Sequence, residues 1–267
     1  MPVLPLKYKS NIMGFKNILY KVEEGVAEVM LNRPEKMNSL DEDLIFELTD
    51  LFRDFNTNKD VQIIVITGAA GNFCSGLYLD YLQKISEFDI LQNKEDSRKF
   101  KDMLLSIYYC SKPVIAKVSG YALAGGCGIA SCCDFIIADE TAKFGYTEVK
   151  IGFIPAIVML FLLKRMSETH AKDLLLTARI VNSEEAMDIG LVNHVVPSGD
   201  LDATVNALCE LLKKNSMNSV KLTKEMFRNI EGMTFENALS YACDLNAITR
   251  LTPDCKEGVA KFLNKNK

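Results

Sequence analysis

Apolar and polar positions alternate twice near the start of the chain. The runs Ile18-Leu19-Tyr20-Lys21-Val22 and Val26-Ala27-Glu28-Val29-Met30-Leu31 flank Glu23-Glu24-Gly25, a pattern that predicts a β-hairpin. The period then becomes helical. Leu44, Leu48, Leu51 and Phe52 form a stripe, and Ser39 with Glu42 has the spacing of a capping box. Residues 61–67 are a β-branched run closed by Gly68, which predicts a buried strand. A helix over 100–110, a strand over 114–118, a helix over 127–133 and a strand over 135–138 follow, with a last strand over 191–196. Repeated strand–strand–helix units with short connections predict an α/β fold whose ββα turns stack into a spiral.

Beyond about residue 197 the pattern is helical only. Leu201, Val205, Leu208 and Leu212 form one stripe, Val220, Met226, Phe227 and Ile230 suggest another, and further short helices break around Pro253. The expected organisation is a core over 1–197 and an all-helical C-terminal cap over 198–267.

Composition narrows the function. The 267-residue chain carries a net charge of −4 with no block of like charges, so no nucleic-acid footprint is expected. Apolar runs fall short of the roughly 18 residues of a membrane span, and the best of them, 154–163, ends in Lys164-Arg165. The first residues lack a signal-peptide pattern, and a cytoplasmic location is the expectation. The eight cysteines lack C-x-x-C spacing and read as small buried hydrophobes, while two histidines make a metal site improbable.

Three segments can carry chemistry. In 118–130 a strand runs through Ala124-Gly125-Gly126-Cys127-Gly128 into a helix, so backbone N–H groups can approach a negative oxygen. Tight helix–sheet packing also explains some of these glycines, and the spacing is not that of a dinucleotide fingerprint. In 71–80, Gly76 breaks the chain where a loop can aim the Leu77 N–H outward, although an ordinary strand-to-helix loop would look the same. In 142–156, Glu148 sits among Phe144, Tyr146, Val149, Ile151 and Phe153. An apolar setting raises a carboxyl pKa and suits proton transfer near neutral pH, whereas pairing with Lys143 or Lys150 would make the same residue a plain surface charge.

Taken in order, these segments resemble the crotonase family of enoyl-CoA hydratases and isomerases. The similarity runs from Leu31-Asn32-Arg33-Pro34-Glu35-Lys36-Met37-Asn38-Ser39-Leu40 to Leu191-Val192-Asn193-His194-Val195-Val196, with a weaker match over 254–262. The resemblance implies that the Leu77 and Gly125 N–H groups form an oxyanion hole for a thioester carbonyl. It implies that Lys36, Met37 and Ser75 lie along the coenzyme A thioester, that Phe153, with Ile154 and Ala156, shapes the acyl pocket, and that Phe262 and Lys265 reach a coenzyme A site from an adjacent subunit. The implied assembly is a homotrimer or a dimer of trimers. Its partner is an acyl-CoA substrate, with no membrane association and no cofactor other than coenzyme A as part of the substrate.

The sequence departs from the family pattern at two positions. Gly128 stands where many hydratases carry a first glutamate, and Tyr78 replaces an acidic residue. Glu148 is then the expected general acid/base, with Asp80 or Tyr146 as candidates to position water or substrate, and Gly128 is expected to leave room beside the acyl group for a branch or a carboxylate. Because Gly-Gly-x-Gly together with 147–156 looks like branched-chain and methylglutaconyl-type hydratases, hydration or dehydration of a 2-enoyl-CoA, straight or branched, is the leading expectation. Δ3,Δ2-enoyl-CoA isomerisation by Glu148 alone, hydrolysis or decarboxylation, and a non-catalytic scaffold remain alternatives.

Overall fold

The computed structural model describes residues 14–265, with the side chain of Lys265 outside that description. Strands β1 (Ile18–Glu23) and β2 (Val26–Leu31) form the expected hairpin, with Tyr20 opposite Val29. Helix α1 (Glu42–Thr57) starts two residues later than the Ser39 spacing suggested. Asp41 is its cap, accepting from the Leu44 N–H at 3.0 Å, while the buried Ser39 hydroxyl has no partner among the described residues.

Strand β3 (Ile63–Gly68) pairs in parallel with β2. Helices α2 (Leu79–Ser86) and α3 (Ile90–Tyr108) follow. Helix α3 begins ten residues before the expected position, capped by Asp89, whose side chain and that of Gln92 close a capping box. After the exposed Ile90 and Leu91 its first turns are polar, so they carry no apolar stripe that could announce the helix.

Two strand–strand–helix turns come next. Strand β4 (Val114–Val118) leads to β5 (Tyr121–Leu123) and α4 (Gly125–Cys132), then β6 (Phe135–Asp139) to β7 (Lys143–Gly145) and α5 (Ala156–Leu162). After α6 (Glu168–Thr177) come β8 (Ile180–Asn182), α7 (Ser183–Asp188) and β9 (His194–Val196). Each turn gives one strand to a large sheet of order β1-β2-β3-β4-β6-β9 and one to a small sheet of order β5-β7-β8. The stacked ββα architecture follows from this alternation.

The large sheet is covered on both faces, which is why its central strands read as unbroken apolar runs. Ile64 and Ile66 face the main core with α1 and α3, whereas Ile63, Val65, Ile115 and Ile137 face the other way. That second face is covered by Leu201, Val205, Cys209 and Leu212 of α8 (Leu201–Lys213). Helices α9 (Met217–Asn229), α10 (Phe235–Arg250) and α11 (Pro253–Lys265) complete the chain. Neither α9 nor α10 buries a residue fully. Among the described residues, no helix is long and apolar enough to cross a membrane.

Candidate active site

A cavity of about 670 Å³ opens between the N-terminus of α4, the 3₁₀ turn at 148–151, and helices α2 and α3. Leu77, Gly125, Ser75, Glu148, Phe153, Ile154 and Ala156 all line it, so one space gathers most of the candidate residues.

The backbone wall is built by close contact. Residues 74–77 run beside β5, with the Cys74 N–H donating to Tyr121 O and the Leu123 N–H to Cys74 O, both at 2.9 Å. Helix α4 packs directly on this segment. A β-carbon at Gly126 would lie 2.2 Å from Cys74 O, so only glycine permits the approach. Ala124 turns the chain into the helix at φ 46°, ψ −121°, a conformation in which an L-residue is strained. Gly125 is the first helical residue and has no carbonyl one turn back within the helix to receive its N–H. Among the described residues, neither the Leu77 nor the Gly125 N–H has an acceptor. Two residues of the cavity lining thus carry N–H groups without acceptors, on backbone segments packed tightly against each other.

Glu148 opens the turn on the opposite wall. Its Oε2 is buried and has no hydrogen-bond partner among the described residues. Neither Lys143 nor Lys150 forms an ion pair with it. Burial therefore raises its carboxyl pKa above the usual range. Of the two origins open to this residue on sequence, desolvation is the one realised. Asp96 is the other carboxylate in the wall, and it accepts a short hydrogen bond from the Tyr81 hydroxyl.

Other candidates fall outside the cavity. Tyr146 is fully buried behind the Glu148 turn, and its hydroxyl shares a 2.9 Å hydrogen bond with that of Ser131 on α4. It therefore cannot reach a water in the cavity. Asp80 is exposed on α2 beside the Tyr78 hydroxyl, whose pKa its charge raises, and it does not line the cavity either. The open space expected at Gly128 is filled: a β-carbon there would lie 2.4 Å from Cγ1 of Val158, a side chain of the cavity wall.

Lys36 and Met37 lie next to the wall rather than in it. The Ser75 N–H donates to Met37 O at 3.1 Å, and the Lys36 Nζ sits 4.3 Å from the centre of the Tyr78 ring. Phe262 is 68% exposed on α11, and no residue of that helix lines the cavity. Lys265 closes the same helix, its side chain outside the described residues.

Histidine and cysteine chemistry is not built here. His170 and His194 are exposed and away from the cavity. The Cys74 and Cys127 thiols, each near one of the two backbone donors, are pushed up to about 12 by burial, so both stay protonated. The α2–α3 wall, with Leu82, Ile85, Asp96 and Phe100, was not foreseen. Its one sequence signal is the Asp89/Gln92 capping pair.

The enoyl-CoA hydratase/isomerase family pattern matches residues 21–267. The chain belongs to that family. A crotonyl-CoA hydratase of Syntrophomonas wolfei is 34% identical over 257 residues, which cover 96% of this chain and 98% of the relative. A short-chain-enoyl-CoA hydratase of Clostridium acetobutylicum is 31% identical over 262 residues, covering 96% and 97%. The crystal structure of an enoyl-CoA hydratase from Shewanella pealeana superposes with a TM-score of 0.90 at 27% identity, over 94% of this chain and 95% of that one. The crotonase fold of this family accounts for the stacked ββα turns and the helical C-terminal region.

Proposed function

We propose that the protein hydrates a 2-enoyl-CoA thioester, with Leu77 and Gly125 as the oxyanion hole and Glu148 as general acid/base. The observation that carries this reading is the presence, in the lining of one cavity, of two acceptor-free N–H groups and of a carboxyl group whose Oε2 is buried without a partner. The names of the crotonyl-CoA and short-chain-enoyl-CoA relatives support the same reaction.

In this mechanism the thioester oxygen accepts from both N–H groups. Water adds through its oxygen to C3 while ionised Glu148 takes one of its protons, and the C2=C3 electron pair moves to form an enolate. Preorganised donors strengthen as that charge develops, so they stabilise the transition state more than the bound substrate. Protonated Glu148 then returns its proton to C2, leaving a 3-hydroxyacyl-CoA and the carboxylate as it began. One carboxylate serving both carbons requires that hydroxyl and proton arrive on the same face.

Gly128 belongs to this reading as the position where two-carboxylate relatives hold a first glutamate. The Val158 side chain in that space supports a site built for one carboxylate. The Lys36 ammonium and Met37 would lie along the coenzyme A moiety. We also infer a homotrimer or dimer of trimers, in which α11 carries Phe262 and Lys265 to a neighbour's coenzyme A. The exposed Phe227, Phe235 and Leu251 on the C-terminal helices support such an assembly. Residues 198–267 would then be its helical cap, on a core over 1–197. A cytoplasmic location fits the free cysteines.

The test is turnover of straight-chain 2-enoyl- and 3-enoyl-CoA esters, read by mass and retention time. Gain of one water on the 2-enoyl ester is expected, with a loss of about 10²- to 10⁴-fold for Glu148→Gln. A change of retention at constant mass would mark isomerisation instead, and full turnover by Glu148→Gln would remove Glu148 from the chemistry.

A further inference from the structure

The contact between α4 and α5 at Gly128 has a consequence for substrate choice. Val158 is 3% exposed and lines the cavity, and its Cγ1 stands 2.4 Å from where a β-carbon of Gly128 would be. Gly128 is itself fully enclosed on α4. The side chain of Val158 thus plugs the recess that the glycine leaves, and nothing of that recess reaches the substrate space.

The position of this plug along the acyl chain follows from helix geometry. Gly128 lies three residues beyond Gly125, which is about 4.5 Å along the axis of α4. Of the α4 residues only Gly125 lines the cavity, while Val158, seated over Gly128, does line it, so the carbons that follow a carbonyl bound at the Gly125 N–H meet Val158 rather than the helix. Valine is stiff about χ1, so its two methyl groups cannot swing aside to admit a substituent.

We infer that Val158 is a specificity-determining residue, which restricts the cavity to acyl chains unbranched at C3. The inference rests on the proposed seating of the carbonyl at Leu77 and Gly125. It does not depend on proton transfer by Glu148.

Saturated thioesters make the test independent of chemistry. Binding of butanoyl-CoA and 3-methylbutanoyl-CoA to the full-length protein is measured by titration calorimetry for wild type, Val158→Ala and Val158→Ile. Wild type is expected to favour the straight chain. Val158→Ala opens the recess above Gly128 and should shift the branched-to-straight affinity ratio about tenfold or more toward the branched ester, the range one methylene-sized space commands in an apolar pocket. Val158→Ile adds a methylene at the same place and should move the ratio further toward the straight ester. If the alanine variant is unstable, a folded Val158→Ile with the wild-type ratio overturns the inference. An unchanged ratio in folded Val158→Ala overturns the inference and leaves the Glu148 assignment to its own turnover test. If wild type binds neither ester, the thioester site and this inference fall together.

Discussion

The two walls of the cavity hold their groups by different means. On one wall, Leu77 and Gly125 are fixed by backbone against backbone, with Cys74 O pressed into the space above Gly126. On the other, Glu148 and Val158 act through side chains carried on a short turn and a short helix. The first wall presents atoms that no substitution can change directly and every substitution can displace. The second can be altered one atom at a time. Such a division lets one scaffold hold groups by its backbone while its side chains set the chemistry.

Breaking the backbone wall should have the largest effect. Gly126→Ala places a β-carbon 2.2 Å from Cys74 O and 2.8 Å from Cys74 C, and neither can retreat without losing the Leu123 to Cys74 hydrogen bond. Such overpacking costs about 3 kcal/mol or more, which for a chain of this size lowers Tm by about 10 °C. Thermal unfolding followed by circular dichroism measures it. A variant melting with the wild type would show that α4 does not rest on residues 74–76 as described.

The same substitution two residues on should cost less and should be repairable. At Gly128 the added carbon meets a side chain, Val158 Cγ1, rather than backbone. Gly128→Ala is expected to cost about 1–3 kcal/mol. Removing the valine methyls in the double variant with Val158→Ala should recover part of that loss, as a coupling of about 1 kcal/mol or more in a double-mutant cycle on denaturant unfolding. Additive costs would mean that the two residues do not share one space.

These two walls also differ in how much of them could be read from the chain. The glycine cluster at 125–128 and the lone Glu148 among aromatics stand out locally, and both proved to line or adjoin one cavity. Strands β3, β4 and β6 were legible because burial on both faces leaves an unbroken β-branched run. The three-residue strands of the small sheet were not, since three residues define no period. Likewise the first turns of α3 have polar residues facing solvent and cavity, so only the Asp89 cap betrays them. The filling of the Gly128 recess was invisible for another reason. Val158 lies thirty residues away and meets Gly128 only through the packing of α4 on α5, so an empty position in the sequence became an occupied one in the fold.

The smallest effect separates the walls electrostatically. Glu148 has its carboxyl pKa raised by burial, so the folded protein holds that proton to a higher pH than the unfolded chain does. Between the ordinary glutamate pKa and the raised folded value, the native state binds more protons than the unfolded state. Stability therefore falls as pH rises through that window, and above it the full cost of a desolvated charge is present. Glu148→Gln removes the charge and keeps the shape. Its Tm should exceed that of wild type at pH 7–8, and the difference should vanish as pH drops below the ordinary glutamate range of about 4.3. The turnover of wild type should run the opposite way, rising with pH as Glu148 ionises to act as base. A glutamine variant less stable than wild type at neutral pH would mean that the carboxylate has favourable partners when charged. Glu148 would then be a structural charge, and the side-chain wall would lose its one reactive group.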